Sequence, residues 1–257
     1  AITSRKLQVD VAHVEAGLRS GDWTMPEDIN RVVTDSVSNW FFTTTESASH
    51  NLKREGVADD QIFLVGNTMI DTLLSNMDRL AVPSFWSTLE LKPKTYMVAT
   101  LHRPGNVDTP SSLAALLGAI AAGARGEKVI FPVHPRTAKS LHEIGPLPEN
   151  IVAVGPQSYL ALIYLVKHAR AVITDSGGIT EETTVMGIPC ITVRTSTERP
   201  ETVDVGTNEV IGISPGAIGP VLDRLFAGQW KRGQVPQFWD GNAAVRIADQ
   251  LLKILRV

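Results

Sequence analysis

A chain of 257 residues that is 43% hydrophobic and 20% charged can bury a sizeable core, as one large or two modest domains. Its net charge of −3 argues against a nucleic-acid or polyanion surface and leaves room only for a local basic pocket. With one cysteine, Cys190, neither a disulfide framework nor a cysteine-based metal site can be built. Cys190 lies in an apolar run and reads as a buried strand residue. No stretch approaches the ~20 apolar residues of a membrane span, so no membrane partner is expected. No signal-type opening is visible, and a reducing cytoplasm is the expected location. The chain starts at Ala1 in a helix-like stretch that runs straight into a strand, as if cut from a longer protein.

Strand-like and helix-like runs then alternate. Residues 9–14 read as a strand, followed by a long loop to Pro26. Residues 27–37 read as a helix, with Asp28, Arg31 and Asp35 at i, i+3 and i+4 spacing. A strand at 40–44, a helix at 47–55 closed by Gly56, a strand at 62–65 and a helix at 68–80 follow. Pro83 and Pro93 bracket a less regular stretch. The second series is cleaner, with strands at 96–100, 129–133, 151–154, 171–174 and 190–193. Helices at 111–124, 137–143, 159–167 and 179–186 separate them, and a last helix runs over 242–255. Thr109-Pro110 is a cap followed by proline at the first helical position. The alternation predicts an α/β fold of βαβ units with parallel sheets. A boundary is expected near Gly66-Asn67-Thr68, leaving about three strands before it and a complete doubly wound unit after it.

Nearly every polar cluster follows a strand, where a parallel sheet binds its ligand. These clusters are His13 to Arg19, Pro26 to Arg31, Thr100 to Pro104, Pro132 to Arg136, Thr174 to Glu182 and Arg194 to Glu201. The Ser176-Gly177-Gly178 turn opens a helix with bare backbone N–H groups, a ready site for phosphate oxygens. Glu181 and Glu182 are expected in the first helical turn, one of them holding a ribose hydroxyl. Singly, each cluster has a plain structural reading: Glu15 as an ion pair, Glu27 as a first-turn residue, His102 and His134 as loop histidines, Arg199 as a surface pair with Glu198. Jointly they fit a phosphorylated, sugar-like ligand and acid/base chemistry. No zinc spacing, GxGxxG or Walker lysine motif is present.

These stretches closely resemble the UDP-N-acetylglucosamine 2-epimerase family, the GT-B-like sugar-nucleotide epimerases. The matching residues are His13-Val-Glu-Ala-Gly-Leu-Arg19, Pro26-Glu27 with Asn30-Arg31, Gly66-Asn67-Thr68 with Asp71, His102-Arg103, Pro132-Val-His134, Asp175-Ser-Gly-Gly-Ile179 with Glu181-Glu182, and Thr197-Glu-Arg-Pro-Glu201. They come in the family's order from residue 13 to 201. The resemblance implies two Rossmann-like domains with the active site in the cleft between them. Here residues 1–66 would be the C-terminal part of the first domain. Residues 67–239 would be a complete nucleotide-binding domain, and 240–257 a helix packing back toward the first.

The implied reaction interconverts UDP-GlcNAc and UDP-ManNAc without nicotinamide or metal. UDP is eliminated across C1–C2 to give a 2-acetamidoglucal, and re-adds after the C2 proton returns on the other face. By the resemblance Glu15, Glu27 and His102 are catalytic, with His102 near the leaving diphosphate. Ser176, Gly177 and Gly178 cradle the diphosphate, Glu182 contacts the ribose, Arg199 contacts the nucleotide and Gln157 lies beside uracil. Leu162 replaces a family aromatic near the base. The family implies a homodimer at full length, a UDP-sugar as the small-molecule partner, and a place in cell-surface polysaccharide synthesis. The family's Gly-Thr-Arg-Pro-Glu loop and His-Gly-Asp strand end, the latter an active-site acid, have no counterpart in this chain. A chain without them is expected to bind UDP and turn over poorly. Pro104 and Gly105 replace the family's His-Arg-Arg-acidic pattern and argue against a second, regulatory sugar-nucleotide site, to which His134 would belong. The alternatives left open are a hydrolysing epimerase releasing ManNAc and a UDP-binding fragment without turnover.

Overall fold

In the computed structural model, which describes residues 1–255, the chain divides into two compact units. The first unit begins with α1 (Ile2–Lys6), β1 (Ala12–Ala16), α2 (Pro26–Ser36), β2 (Trp40–Thr43), α3 (Glu46–Arg54), β3 (Ile62–Leu64) and α4 (Thr68–Ser75). The second follows with β4 (Tyr96–Thr100), α5 (Pro104–Val107), α6 (Pro110–Gly123), β5 (Lys128–Pro132), α7 (Pro135–Glu143), β6 (Ile151–Val154), α8 (Tyr159–His168), β7 (Val172–Thr174), α9 (Gly177–Met186) and β8 (Cys190–Thr192). The chain then visits the first unit in α10 (Pro200–Asp204) and returns to the second in β9 (Asn208–Val210) and α11 (Ile218–Phe226). It ends in the first unit with α12 (Ala243–Leu255).

The first unit's sheet has the parallel order β1-β2-β3, with Ala16, Phe41 and Leu52 at its core. The division falls after Ser75, later than the Gly66–Thr68 turn expected from sequence, and 196–204 and 235–257 also belong here. That corrects a continuous second domain over 67–239. The reason is specific long-range contact. Asp71 on α4 accepts the Ala243 and Ala244 N–H groups at 3.1 and 2.7 Å and so caps α12. The fully buried Trp239 donates its indole N–H to Thr44 O at 3.2 Å. Gly66 has φ +94°, and a Cβ there would stand 2.0 Å from Phe238 O, so only glycine fits.

The second unit's sheet is parallel throughout, in the order β6-β5-β4-β7-β8-β9. Both faces are covered. On β4, Met97 and Ala99 enter one core with α6 and α11, while Tyr96 and Val98 enter the other with α8 and α9. A strand buried on both sides loses polar alternation, which is why these strands read as apolar runs. Strand order reverses between β4 and β7, the switch point where such sheets bind ligands. Cys190 is fully buried, and burial pushes its thiol up to about 12, which suits a packing residue.

Candidate functional site

In the second unit the site is built where β4 and β7 end side by side. The Thr100 and Thr174 hydroxyls are 2.6 Å apart. Just beyond them Asp175 is fully buried and gathers four donors. Its carboxylate accepts the His102 N–H at 3.1 and 3.0 Å, the Arg103 N–H at 2.9 Å and the Asn106 amide at 3.0 Å. The His102 ring Nδ1 lies 2.8 Å from Asp175 Oδ1. Burial works against the Asp175 charge, yet the bonds from His102, Asn106 and the Arg103 N–H outweigh it and hold the carboxyl below its ordinary value. With Nδ1 committed to Asp175, Nε2 is the ring nitrogen left for a ligand.

A cavity of about 200 Å³ opens here and brings His102, Gln157, Leu162 and Ser176 together, with His134 beside them. The His102 and His134 ring centroids are 5.7 Å apart. His134 also caps α7, its Nδ1 accepting the Arg136 N–H at 3.1 Å. The Gln157 amide donates to Gly155 O at 2.7 Å within its own loop.

Helix α9 begins at Gly177, two residues earlier than the sequence reading, and this moves Glu181 and Glu182 out of its first turn. They lie in the second turn and are buried, at 0% and 3% exposure. The helix dipole therefore does not explain them. Ser176 is the N-cap residue without a side-chain cap bond, and its own N–H already donates to Thr174 Oγ1 at 2.9 Å. The N–H groups that open a helix have no intrahelical acceptor, so Gly177 and Gly178 offer theirs outward. Neither glycine has a positive φ. Burial pushes the Glu182 carboxyl up to about 7, against a hydrogen bond from the Tyr159 hydroxyl that lowers it.

The first unit gathers three other clusters. Glu15 lies within β1, with φ +65°, where the register with β2 shifts between Val14 and Ala16. A non-glycine residue in the left-handed region at a bulge is a strained position of the kind found at functional sites. Arg199 comes to this unit, although the sequence reading put it in the nucleotide-binding domain. Its Nη2 stands 3.6 Å from Glu15 Oε2, and it is 5% exposed. Arg31 lies 3.5 Å from Asp28 and 3.9 Å from Glu198, tying the Pro26 and Thr197 clusters together. Asp28 accepts the Ser20 and Gly21 N–H groups at 3.0 Å and fixes the loop before α2. Glu27 is exposed, in the first turn of α2 behind Pro26. Glu201 is 8% exposed, neither of its oxygens has a hydrogen-bond partner among the described residues, and burial pushes its carboxyl up.

Two residues with clear structural work were given no role of their own in the sequence reading. Asp175 was visible as a carboxylate directly behind an apolar strand. Asp35 gave only a helical spacing, and nothing local marks the three donors it collects. Among the described residues no group of three His, Cys, Asp or Glu side chains is placed to hold a metal ion, and no helix is long and apolar enough to cross a membrane.

The comparisons with known proteins bear on these features. The family model for UDP-N-acetylglucosamine 2-epimerase matches residues 1–252. The UDP-N-acetylglucosamine 2-epimerase of Methanocaldococcus jannaschii is 43% identical over 259 residues, covering 96% of this chain and 70% of that protein. The UDP-2,3-diacetamido-2,3-dideoxy-D-glucuronate 2-epimerase of Pseudomonas aeruginosa is 35% identical, covering 99% and 71%. A crystal structure of the M. jannaschii enzyme in complex with UDP-GlcNAc and UDP aligns with a TM-score of 0.82 at 37% identity, over 97% of this chain and 71% of that one. The chain belongs to the UDP-N-acetylglucosamine 2-epimerase family and has its GT-B-like α/β fold.

Proposed function

We propose that the protein is a non-hydrolysing UDP-hexosamine 2-epimerase that interconverts UDP-GlcNAc and UDP-ManNAc. A carboxylate takes the C2 proton, the C1–O bond to UDP breaks, and a 2-acetamidoglucal results. A second acid returns a proton to the opposite face of C2, and the UDP oxygen re-forms the C1 bond. Two acid/base groups on opposite faces of C2 are the minimum, and Glu15 and Glu27 are assigned to them. His102, held by Asp175, serves the leaving diphosphate. The Gly177 and Gly178 N–H groups take its oxygens, Glu182 the ribose hydroxyls, and Gln157 and Leu162 the uracil side. Arg199 is assigned to the nucleotide as well as to Glu15.

The observation that carries this reading is the cluster at the β4/β7 switch point. A buried carboxylate there orients a histidine next to a Ser-Gly-Gly helix start, on the rim of a cavity lined by Gln157 and Leu162. The M. jannaschii relative was crystallised with UDP-GlcNAc and UDP, which supports a UDP-sugar as the substrate. The P. aeruginosa relative acts by name on a 3-acetamido uronate, so both sugars belong in the assay. The experiment is product analysis: a UDP-ManNAc product supports the non-hydrolysing route, and free ManNAc would replace it by the hydrolysing one. A cytoplasmic homodimer working in cell-surface polysaccharide synthesis completes the proposal.

The Glu182 assignment predicts a pH signature. A carboxyl raised to about 7 in the folded protein stabilises it below the ordinary value of 4.5, and that contribution is lost as pH rises through about 7. Ribose hydroxyls donate to the charged form, so UDP binding should strengthen as pH rises through 7 and should release a proton there. Calorimetric titration in buffers of different ionisation enthalpy reads that proton. Glu182→Gln should abolish the release, and an unchanged proton count in that variant would remove Glu182 from the site.

A further inference from the structure

The Glu15 backbone is held in an uncommon conformation, and one residue on another element collects the groups on either side of it. Asp35, on α2, is 4% exposed. Its Oδ1 accepts from His13 Nδ1 at 2.5 Å, two residues before Glu15. Its Oδ2 accepts the Gly17 N–H at 3.2 Å, two residues after, and stands 2.7 Å from Arg19 Nη2. Arg19 also donates to Glu55, from Nε at 2.9 Å and from the same Nη2 at 2.6 Å, and its Nη1 donates to Leu18 O at 2.8 Å. Helix α3 closes the third side. Asn51 donates to Gly17 O at 3.0 Å, and a Cβ at Gly17, whose φ is +79°, would meet Ala48 O at 2.3 Å. A left-handed non-glycine residue persists only where its surroundings over-determine it. Here three of the determinants, through His13, Gly17 and Arg19, meet on one carboxylate.

We infer that Asp35 is a positioning residue for Glu15: by binding His13 before it and Gly17 and Arg19 after it, Asp35 keeps the β1 bulge closed and the Glu15 carboxylate beside Arg199. The inference rests on Glu15 being a proton carrier. Neutralising Asp35 leaves its shape but turns one acceptor into a donor, which faces either His13 or the Gly17 and Arg19 donors. The bulge then relaxes, and a displacement of about 1 Å at a catalytic group can cost ~10²-fold.

The test is Asp35→Asn in the protein as its host makes it, compared with Glu15→Gln and the double variant. Asp35→Asn should lower kcat and C2 proton exchange in D₂O by about 10²-fold. KM and the UDP-induced thermal shift should stay near their original values. In the Glu15→Gln background it should add little, because residues that act as a unit are not additive. Should Asp35→Asn fail to fold, His13→Asn removes one tether from a side chain that is 17% exposed, and the same split between kcat and KM is expected. Unchanged kcat per folded molecule, or losses that multiply in the double variant, would overturn the inference. If Glu15→Gln alone retains normal exchange, the assignment of Glu15 falls and takes this inference with it. An inactive Glu15→Gln beside an unimpaired Asp35→Asn overturns the inference and leaves the assignment of Glu15 standing.

Discussion

Glu15→Gln and Glu27→Gln should each lose about 10²–10⁴-fold in turnover while keeping their affinity for UDP. The substitution preserves the shape of the side chain and removes its capacity to move a proton. Glu15 sits in a left-handed bulge with Arg199 Nη2 at 3.6 Å, which aims its carboxylate at one place. Glu27 is exposed behind Pro26, where nothing compels a carboxylate for packing. At an exposed first-turn position Gln costs the fold a few tenths of a kcal/mol, of the order of the dipole contribution. The measurement is kcat together with exchange of the C2 proton into D₂O. A variant with near-normal exchange would show that its carboxylate carries no proton in the reaction.

Gly177→Val should abolish the protection that UDP gives against heat. A ligand that binds only the native state at a hundredfold excess over its dissociation constant contributes about 2.7 kcal/mol, a shift of several degrees in Tm. Gly177 is the first helical residue of α9 and has no positive φ, so its backbone does not require glycine. Valine is a better helix former than glycine, so the helix start should survive. What valine adds is a side chain where a diphosphate would approach the first N–H groups. Differential scanning with and without UDP checks this. An undiminished shift in Gly177→Val would remove the Ser-Gly-Gly turn from the nucleotide site.

The second sheet was legible because both of its faces are covered, so its strands appear as apolar runs separated by helical ones. That His102 and Ser176 follow strands was readable from the alternation, but the strand order that makes β4/β7 the switch point was not. Helix α11 was not read, because Gly219-Pro220 looks like a breaker. In the fold Pro220 lies in the first turn, where its missing N–H costs nothing. Strand β9 has three residues, with polar Asn208 and Glu209 at the sheet edge, too short for a period to register. Glu15 was expected after its strand rather than inside it, because a bulge has no sequence period. The return of Arg199 and Trp239 to the first unit is long-range packing, such as the Trp239 bond to Thr44 O, and local pattern carries no trace of it. Motif order pointed to the family. Only the fold shows that Asp175 and Asp35 brace the neighbours those motifs name.

The proposed chemistry is proton removal and return at C2, with UDP as the group that leaves and re-adds. The most direct measurement incubates the protein, as its host makes it, with UDP-GlcNAc in D₂O and follows the products by mass and proton resonance. UDP-ManNAc should form, with deuterium in place of the C2 proton, and deuterium should enter the recovered UDP-GlcNAc as the reaction reverses. UDP-ManNAc formed with the original C2 proton retained would contradict that chemistry, as would free ManNAc as the only product.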